Sequence, residues 1–543
     1  MRLVALSTET TGEMQGWDEV EEPVNPIHTK LGSEVAPMGV YDTGYNQNEY
    51  PLALDEPDVD VDLSVTNAGK KGMNPKKLTK KRLERPGHPN PVHPPLLPVP
   101  DFRDDVVQDM TLYAHQIEAI KKISQSRAFL LNFPPGSGKT LTALVAAKHL
   151  LAAGAIKMVM VFCPGSVLHM WRELSKKFGV ENCIVRTHTA GFKHACTMDT
   201  LNNAFVIIDE VHNLRTKMIP GKTNVEEYVS GQSAAHMLRT CCKASRVLML
   251  TGTPIVNHRR DLQNIAGVLA GLDPEWTMYS MHRSSRYLRV FVENSMKFVM
   301  DRQASSDLGF PELLPSVNVY IAVPKDVTIE HANSKSESNC FFSKSRVAAN
   351  QVPQKQAALE EILKRECVEG GKKAIVYSQL IGNGHNIVEK VCNGIPYDSI
   401  TGNTKSKDRH EIVKKFNTGE IQVLLISNAA SEGLDLKGCE IVVFYDRPWH
   451  PSGENQVIAR ATRAQSHHML PKERRTVQVI YLICREEGMT EDVQKSIEND
   501  PQLCPEKLLV CSSDQVFGRL IEQKRQLDRQ LDGEYAKKQN IAQ

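Results

Sequence analysis

Apolar runs alternate with stretches of helical spacing along the chain from about residue 101 onward. Four runs are predominantly apolar and are bounded by polar or turn residues, which is typical of buried parallel strands. They are residues 128–133, 159–163, 205–209 and 247–252. A second series repeats this pattern at residues 373–378, 423–427, 441–446 and 477–483. The alternation predicts an α/β fold class with two tandem parallel-sheet lobes.

The two ends of the chain have a different pattern. Residues 1–100 are rich in proline, glycine and charge without apolar periodicity, so we expect a largely disordered extension. It has an acidic part (55–62), a basic part (70–85) and a proline-rich part (86–100). The basic part fits a nucleic-acid contact or nuclear-import signal as well as a solvated tail.

The C-terminal pattern completes a division of the chain into five segments. Residues 516–535 have helical spacing with many charges, which predicts a surface or partner-binding helix rather than a core helix. The predicted segments are the extension (1–100), a first lobe (101–325), a connector (326–355), a second lobe (356–495) and a C-terminal helical segment (496–543).

Composition narrows the class of protein. The chain has 543 residues, 41% of them hydrophobic, and a net charge of +2, so any nucleic-acid contact must come from local basic patches. No apolar run reaches the roughly 18 residues of a transmembrane helix, and we expect no membrane partner. Twelve cysteines without a Cys-x-x-Cys pair favour reduced thiols inside a cell over a zinc site.

The segment PPGSGKT, residues 134–140, follows a predicted strand and precedes a helical run. This strand–loop–helix context is the one that a phosphate-binding loop requires. Gly136 and Gly138 allow backbone N–H groups to close on phosphate oxygens, Lys139 reaches the β- and γ-phosphates, and Thr140 is a candidate Mg²⁺ ligand. A strict phosphate loop has glycine where this chain has Phe133. We therefore expect ATP and Mg²⁺ to bind here.

Asp209 and Glu210 directly follow the third predicted strand. Asp209 is the candidate metal ligand, and Glu210 is placed to polarise the attacking water. The alternative, an acidic pair that caps a helix, is less favoured because strand, pair and phosphate loop occur together.

Paired arginines, Arg460 and Arg463, occur late in the chain, within residues 456–467. At that spacing on a helix they share one face. A solvated basic face is the usual interpretation of such a pair. After a phosphate loop, they instead predict that the second lobe supplies positive charge to the γ-phosphate, an effect worth roughly 10³–10⁵ in rate elsewhere.

Other candidate residues are weaker individually. Gln116 can read the adenine edge through its amide. Gly433 and Asp435 follow a predicted strand end, where they can touch nucleotide or a nucleic-acid backbone. Trp171 fits a core position as well as base stacking. The residues predicted to bind nucleotide are Gln116, Phe133, Pro134, Pro135, Gly136, Ser137, Gly138, Lys139, Thr140, Gly433 and Asp435.

The ordered set of segments resembles the motor of superfamily-two helicases, within the Swi/Snf-like group of DNA-dependent ATPases. The segments are residues 112–116, 134–140, 163–174, 209–212, 251–254, 431–440 and 456–463. The resemblance covers about residues 112–483 and implies two RecA-like lobes with ATP in the cleft between them. It also implies that Gln456, Arg460 and Arg463 close over the γ-phosphate, and that double-stranded DNA is tracked without strand separation.

A narrower resemblance lies in residues 460–483, where the arginine segment continues into Ser-His and Leu-Pro-x-Glu-Arg-Arg. This is similar to the viral, poxvirus-type nucleoside triphosphate phosphohydrolase I group. Residues 309–324 also resemble the connection between lobes in that group. The resemblance implies a role in viral transcription termination or transcript release, with viral RNA polymerase as partner. The implied location is the nucleus or cytoplasm of a host cell, or the virion.

The leading hypothesis is thus a nucleic-acid-dependent ATPase that moves along DNA. An ATP-dependent RNA helicase is one alternative, because the Asp-Glu-Val-His segment does not distinguish RNA from DNA. A polymerase-coupling adaptor, in which hydrolysis is secondary, is another. A small-molecule P-loop kinase or phosphatase is disfavoured, since it has no use for Arg460 and Arg463 in a second lobe.

Overall fold

The protein is described by a computed structural model. It describes residues 96–104, 106–107, 110–198, 201–214, 231–256, 259–272, 286–298, 307–328, 343–392, 394–427, 434–490, 493 and 511–541. The predicted N-terminal extension, including the basic part, therefore lies outside the described residues apart from 96–100.

The first lobe is built on a six-stranded sheet, preceded by a short antiparallel pair. The strands are β1 (Val106–Val107), β2 (Met110–Thr111), β3 (Ala128–Asn132), β4 (Met158–Cys163), β5 (Cys183–Thr187), β6 (Leu201–Ile208), β7 (Ala244–Thr251) and β8 (Ser295–Lys297). The sheet order is β5-β4-β6-β7-β3-β8, and every pairing in it is parallel. Apolar side chains fill both faces because helices cover both.

The helices of the first lobe follow its strands in a βα alternation. They are α1 (Ala114–Gln125), α2 (Lys139–Ala152), α3 (Leu168–Lys177), α4 (His188–Cys196), α5 (Gly231–Lys243), α6 (Gln263–Leu269) and α7 (Arg286–Glu293). Short 3₁₀ turns lie at Gly165–Val167, Val211–Leu214 and Arg259–Leu262. The carboxyl ends of β3, β4 and β6 lead into the segments that the sequence singles out.

The second lobe is a seven-stranded parallel sheet. Its strands are β9 (Glu312–Leu313), β10 (Val317–Val323), β11 (Lys373–Tyr377), β12 (Tyr397–Ile400), β13 (Val423–Ile426), β14 (Cys439–Phe444) and β15 (Thr476–Glu486). Its helices are α8 (Ser343–Gln351), α9 (Pro353–Leu363), α10 (Asn386–Val391), α11 (Ser406–Thr418) and α12 (Pro451–Ala461). The sheet order is β10-β15-β14-β11-β13-β12, with β9 also beside β15. The predicted α/β class with two parallel-sheet lobes is confirmed.

The lobe boundary differs from the one that the sequence predicts. The sequence pattern predicts that the first lobe ends at residue 325, which would include strand β10. In the structure, β10 pairs with β15 of the second lobe over its whole length, from Val317 beside Ile480 to Val323 beside Glu486. The predicted connector is wrong in part as well, because α8 packs its Ala349 into the core of the second lobe. Alternating exposed and buried positions make β10 an edge strand, a pattern that the search for fully apolar runs misses.

The C-terminal helix α13 (Ser513–Ile541) contradicts the prediction of a surface helix. Its first turn is buried in the second lobe, where Asp514 binds Lys355 at 2.7 Å. Near its end, Leu531 and Tyr535 belong to the apolar core of the first lobe, and the Tyr535 hydroxyl lies 2.5 Å from Ser295 Oγ. Helix α13 therefore spans both lobes. Within the described residues, no helix has the length and apolarity needed to cross a bilayer.

Candidate nucleotide site

The phosphate loop connects β3 to α2. Phe133 is fully buried beneath it, and its backbone N–H donates to the Thr251 carbonyl at 3.1 Å. Gly138 has φ +86°, and a side chain there would place its Cβ 2.1 Å from Gln116 Nε2. Glycine is therefore required at this position by conformation and by space. The loop directs the amino end of α2, which begins at Lys139, toward the site.

Lys139 is enclosed by the loop that precedes it. Its Nζ donates to the Phe133 carbonyl at 2.8 Å and to the Pro134 carbonyl at 3.3 Å. Burial lowers the pKa of Lys139 from its ordinary value, although the carboxylates of Glu210 and Asp209 act in the opposite direction. The charges of Arg460 and Arg463 lower it further. Residues from three sequence segments therefore share one electrostatic environment.

Asp209, at the end of β6, is a buried carboxylate with a fixed orientation. Its Oδ2 accepts the Trp171 indole N–H at 2.8 Å, and its Oδ1 accepts the Glu210 backbone N–H at 3.0 Å. Burial and the neighbouring Glu210 carboxylate raise the pKa of Asp209 to about 7, against the lowering effects of Trp171 and Lys139. A buried carboxylate in this state gains from a nearby cation.

Glu210 has an unusual backbone conformation, with φ +49°. A non-glycine residue in the left-handed region stores strain that is often found at functional sites. Its Oε2 lies 3.3 Å from Nδ1 of His212, and that nitrogen lies 2.9 Å from Thr251 Oγ1. These contacts join the acidic segment to residues 251–254. The sequence of that short segment alone indicates no chemical role.

The second lobe contributes the end of helix α12. Arg460 is buried in the last turn, whereas the helix ends at Ala461, so Arg463 lies beyond it. The predicted shared helical face is therefore wrong. The two arginines nevertheless act on the same lysine. A Cβ on Gly136 would lie 3.5 Å from Arg463 Cα, so the arginine rests against the phosphate loop of the first lobe.

Arg463 has a buried donor without a partner among the described residues. Its Nη1 binds Asp435 Oδ1 at 3.2 Å, but Nε is buried and unpaired. Because orphaned buried donors are costly, this nitrogen marks a position where an anion would fit. The described half of the predicted Gly433/Asp435 pair is thus at the site, while Gly433 lies outside the described residues.

Gln116 lies behind the phosphate loop. Its Oε1 accepts the Tyr113 backbone N–H at 3.0 Å, and its Nε2 donates to the Ser137 carbonyl at 3.4 Å. Gln116 is buried, and its role at the adenine edge stays a prediction. Gln456 is half-buried on α12, one turn before Arg460.

Oxygen donors at the site suit a hard divalent cation. Thr140 is in the first turn of α2, and Asp209 is the buried carboxylate near Lys139. Carboxylate and hydroxyl oxygens are the ligands that Mg²⁺ takes in phosphate-loop sites. The donor set therefore fits Mg²⁺, which would be held together with the nucleotide phosphates.

Two helices of different lobes face each other beside the site. Helix α3 follows the turn at the carboxyl end of β4, and His169 on it lies 6.2 Å from the ring of His410 on α11. Helix α11 and its cap carry a basic surface, with exposed or half-buried cations at Lys405, Lys407, Arg409, Lys414 and Lys415. This local patch is what the near-neutral chain needs to contact phosphates.

Sequence reasoning missed Trp171 and His212 as site residues. Trp171 was equally compatible with core packing, and it does pack in the core while its N–H reaches Asp209. Its place on the helix after β4, beside the strand that ends at Asp209, is the signal that could have been used.

Two family matches cover separate parts of the chain. Residues 109–182 match the family described as the res subunit of type III restriction enzymes. Residues 354–465 match the family described as the helicase conserved C-terminal domain. The first match contains the phosphate loop, and the second contains both arginines.

Relatives of the chain include viral and eukaryotic proteins. A protein of Acanthamoeba polyphaga mimivirus, named as an ATP-dependent RNA helicase, is 24% identical over 69% of this chain and 89% of its own length. The chromodomain-helicase-DNA-binding protein 1-like of Mus musculus is 23% identical over 71% of this chain, but over 49% of its own length. The chain thus spans about half of the mouse relative.

Among solved structures, the Sulfolobus solfataricus SWI2/SNF2 ATPase core in complex with dsDNA is similar. It is 19% identical, and the match covers 73% of this chain and 92% of that one, with a TM-score of 0.33.

Proposed function

We propose that the chain, which matches two helicase-type families, is a nucleic-acid-dependent ATPase of the Snf2-like group of superfamily-two helicases and hydrolyses ATP in the cleft between its lobes to move along double-stranded DNA. The observation that carries the proposal is the position of Arg463 against Gly136 of the phosphate loop. It supports a site in which one lobe binds the phosphates and the other stabilises charge during their transfer.

Each lobe has a distinct task in the reaction. The phosphate loop and the amino end of α2 hold the β- and γ-phosphates, and Lys139 exchanges its carbonyl partners for phosphate oxygens. Thr140 and Asp209 would hold Mg²⁺, which would supply positive charge beside the phosphates. Glu210, fixed beside His212, orients the attacking water. Arg460 and Arg463 donate to the γ-phosphate, and Gln456 lies one turn earlier on the same helix.

Nucleic-acid binding is coupled to hydrolysis through the relative position of the lobes. The basic surface of α11 and the exposed face of α3 contact the sugar-phosphate backbone on either side of the cleft. Closure on ATP brings the arginines to the phosphate, and opening after hydrolysis shifts the grip of one lobe. Repetition of this cycle moves the motor along the strand.

We further propose a viral setting, in transcription termination or transcript release together with a viral RNA polymerase. Support comes from the resemblance of residues 460–483 to the viral phosphohydrolase group and from the mimivirus relative. The location that follows is the host nucleus or cytoplasm, or the virion.

The decisive experiment compares ATP hydrolysis by the purified full chain with duplex DNA, single-stranded DNA or RNA. We expect duplex DNA to stimulate hydrolysis most. Stimulation by RNA alone would replace the DNA motor with the RNA helicase that the name of the mimivirus relative favours. No stimulation by any nucleic acid would reject the motor altogether.

A second experiment separates the motor from the polymerase adaptor. Deletion of residues 1–95 removes the acidic and basic parts of the extension and leaves every described residue in place. We expect nucleic-acid-stimulated hydrolysis to survive. Loss of polymerase binding in this variant would add an adaptor role. If polymerase binding is retained in this variant and also does not depend on the C-terminal helix, the adaptor hypothesis is rejected.

A further inference from the structure

Trp171 connects the nucleic-acid-facing helix α3 to the metal site. Its side chain is fully buried, and its indole N–H donates to Asp209 Oδ2 at 2.8 Å. A buried tryptophan normally finds a partner for its N–H, and a backbone carbonyl would satisfy that need. Here the partner is instead the carboxylate that the proposed function assigns to Mg²⁺.

The hydrogen bond fixes which lone pairs of Asp209 remain available. Oδ2 accepts the indole N–H and Oδ1 accepts the Glu210 N–H, so the plane of the carboxylate is set by two donors from different elements. A cation at this site would have to use the lone pairs that these two donors leave free. Outer groups that orient a metal ligand in this way commonly affect metal affinity by about 10–100-fold.

Helix α3 is anchored on its buried side and open on the other. Ser175 Oγ donates to the Trp171 carbonyl at 2.7 Å, one turn further along. The neighbours of Trp171 are exposed at His169 and Arg172, and His169 faces His410 of the second lobe. A displacement of α3 by a bound nucleic-acid backbone would therefore move the indole with it.

We propose that Trp171 is a positioning residue that orients Asp209 for Mg²⁺ and makes this orientation depend on nucleic acid bound to α3. The coupling part rests on the proposed function, whereas the orientation of Asp209 rests on the geometry alone. By linkage, a metal-bound nucleotide must change nucleic-acid affinity by the same factor as nucleic acid changes metal affinity.

The first test measures metal binding rather than activity. Mn²⁺ titrations of the full chain with ADP, followed by electron paramagnetic resonance, compare wild type with Trp171→Phe. The phenyl ring keeps most of the apolar packing and lacks the donor. We expect Mn²⁺ affinity to fall about 10–100-fold while ADP binding without metal is unchanged. Unchanged Mn²⁺ affinity would make Trp171 a core residue only.

Matched controls separate positioning from packing. Ser175→Ala removes a buried hydrogen bond on the same helix without touching Asp209, so Mn²⁺ affinity should stay at the wild-type value. If Trp171→Phe unfolds, replacement of Trp171 by benzothienylalanine keeps the two-ring shape and substitutes sulfur for N–H. A weakened Mn²⁺ site in that variant supports the proposal, and a wild-type site overturns it.

The second test measures coupling by linkage. Duplex DNA affinity is determined by fluorescence anisotropy with ADP, in the presence and absence of Mn²⁺, for wild type and Trp171→Phe. We expect Mn²⁺ to change DNA affinity in wild type and to lose most of that effect in the variant. An equal effect in both proteins overturns the coupling. Absence of any DNA binding in wild type would reject the proposed function instead, leaving the orientation of Asp209 to the Mn²⁺ titration.

Discussion

The two halves of the nucleotide site are built differently. In the first lobe, Lys139 and Asp209 are buried and held by hydrogen bonds of 2.8–3.0 Å from fixed partners. In the second lobe, Arg463 lies beyond the end of α12 and binds Asp435, whose side chain is 66% exposed. One half is preorganised before ligand arrives, and the other keeps a donor unpaired. From this difference we expect nucleotide binding to depend mainly on the first lobe and catalysis mainly on the second.

The two halves of the site also differ in which end of a helix they present to it. Helix α2 presents its amino end to the site, with the partial positive charge of its dipole. Helix α12 presents its carboxyl end, which is unfavourable for an anion, so the arginines must supply the attraction. Their removal should therefore affect the transferring phosphate more than nucleotide binding.

The largest expected effect is that of Arg463→Ala. We expect kcat for stimulated ATP hydrolysis to fall by about 10³–10⁵, since charge stabilisation in the transition state is lost. ADP affinity, measured with a fluorescent analogue, should change only a few-fold. A loss of ADP binding as large as the loss in kcat would remove the distinction between the halves.

The matched change in the first lobe is Lys139→Ala. Here we expect both ADP binding and hydrolysis to be lost, with kcat/KM reduced by at least about 10²–10³, because the lysine contacts phosphate in ground and transition states alike. Circular dichroism should match wild type. Retention of wild-type ADP affinity would show that the preorganised half does not bind the phosphates.

The next prediction concerns the stability of the second lobe, which carries Arg463. Lys355 and Asp514 form a fully buried ion pair between α9 and α13. Although burial alone would lower it, Asp514 raises the pKa of Lys355 above its ordinary value. Asp514→Ala should lower the free energy of unfolding by about 3–5 kcal/mol, because a buried lysine is left unpaired. Urea denaturation measures this, and Gln526→Ala, which changes an exposed side chain of α13, is the control.

A smaller effect is predicted for the turn that carries Arg463. The Ser466 hydroxyl donates to the Arg463 carbonyl at 2.7 Å and lies 2.9 Å from His467 Nδ1. Burial lowers the pKa of His467 from 6.5 to about 4. The unfolded chain thus binds more protons between these values, so stability is complete above pH 6.5 and is lost as pH falls toward 4.

The loss should reach about 3 kcal/mol at about 1.4 kcal/mol per pH unit. Urea denaturation across this pH range measures it, and His467→Gln should remove about 3 kcal/mol of the pH dependence, while His188, whose pKa burial also lowers to about 4, contributes separately. His468→Gln, at the exposed neighbouring position, should leave it intact. If the free energy of unfolding of both variants has the same pH dependence, His467 is not the source of the predicted loss of stability.

The smallest effect is expected for Asp435→Asn. An ion pair with an exposed carboxylate contributes less than about 1 kcal/mol, so kcat should change by less than about fivefold. Steady-state hydrolysis measures it. A change approaching that of Arg463→Ala would mean that Asp435 itself acts on the nucleotide.

Sequence predicted the elements whose pattern is local. The eight fully apolar strands and the phosphate loop follow from runs and spacings of a few residues, and all lie where expected. The packing partners of strand β10 and helix α13 could not be predicted, because β15 and the core around Ser295 are more than 150 residues away. The role of Trp171 depends on a contact across 38 positions, which only the pairing of β4 with β6 creates.

Helix α13 has 29 residues, which corresponds to a rod of roughly 43 Å. Arg525, in the middle of α13, binds Glu454 of α12, the helix that carries Arg460. The C-terminal part of α13 packs in the core of the first lobe. A single rigid helix that packs into both lobes limits how far those lobes can move apart. In the proposed cycle, lobe opening is therefore limited by the packing of Tyr535 in the first lobe, because wider opening would expose that aromatic ring to water.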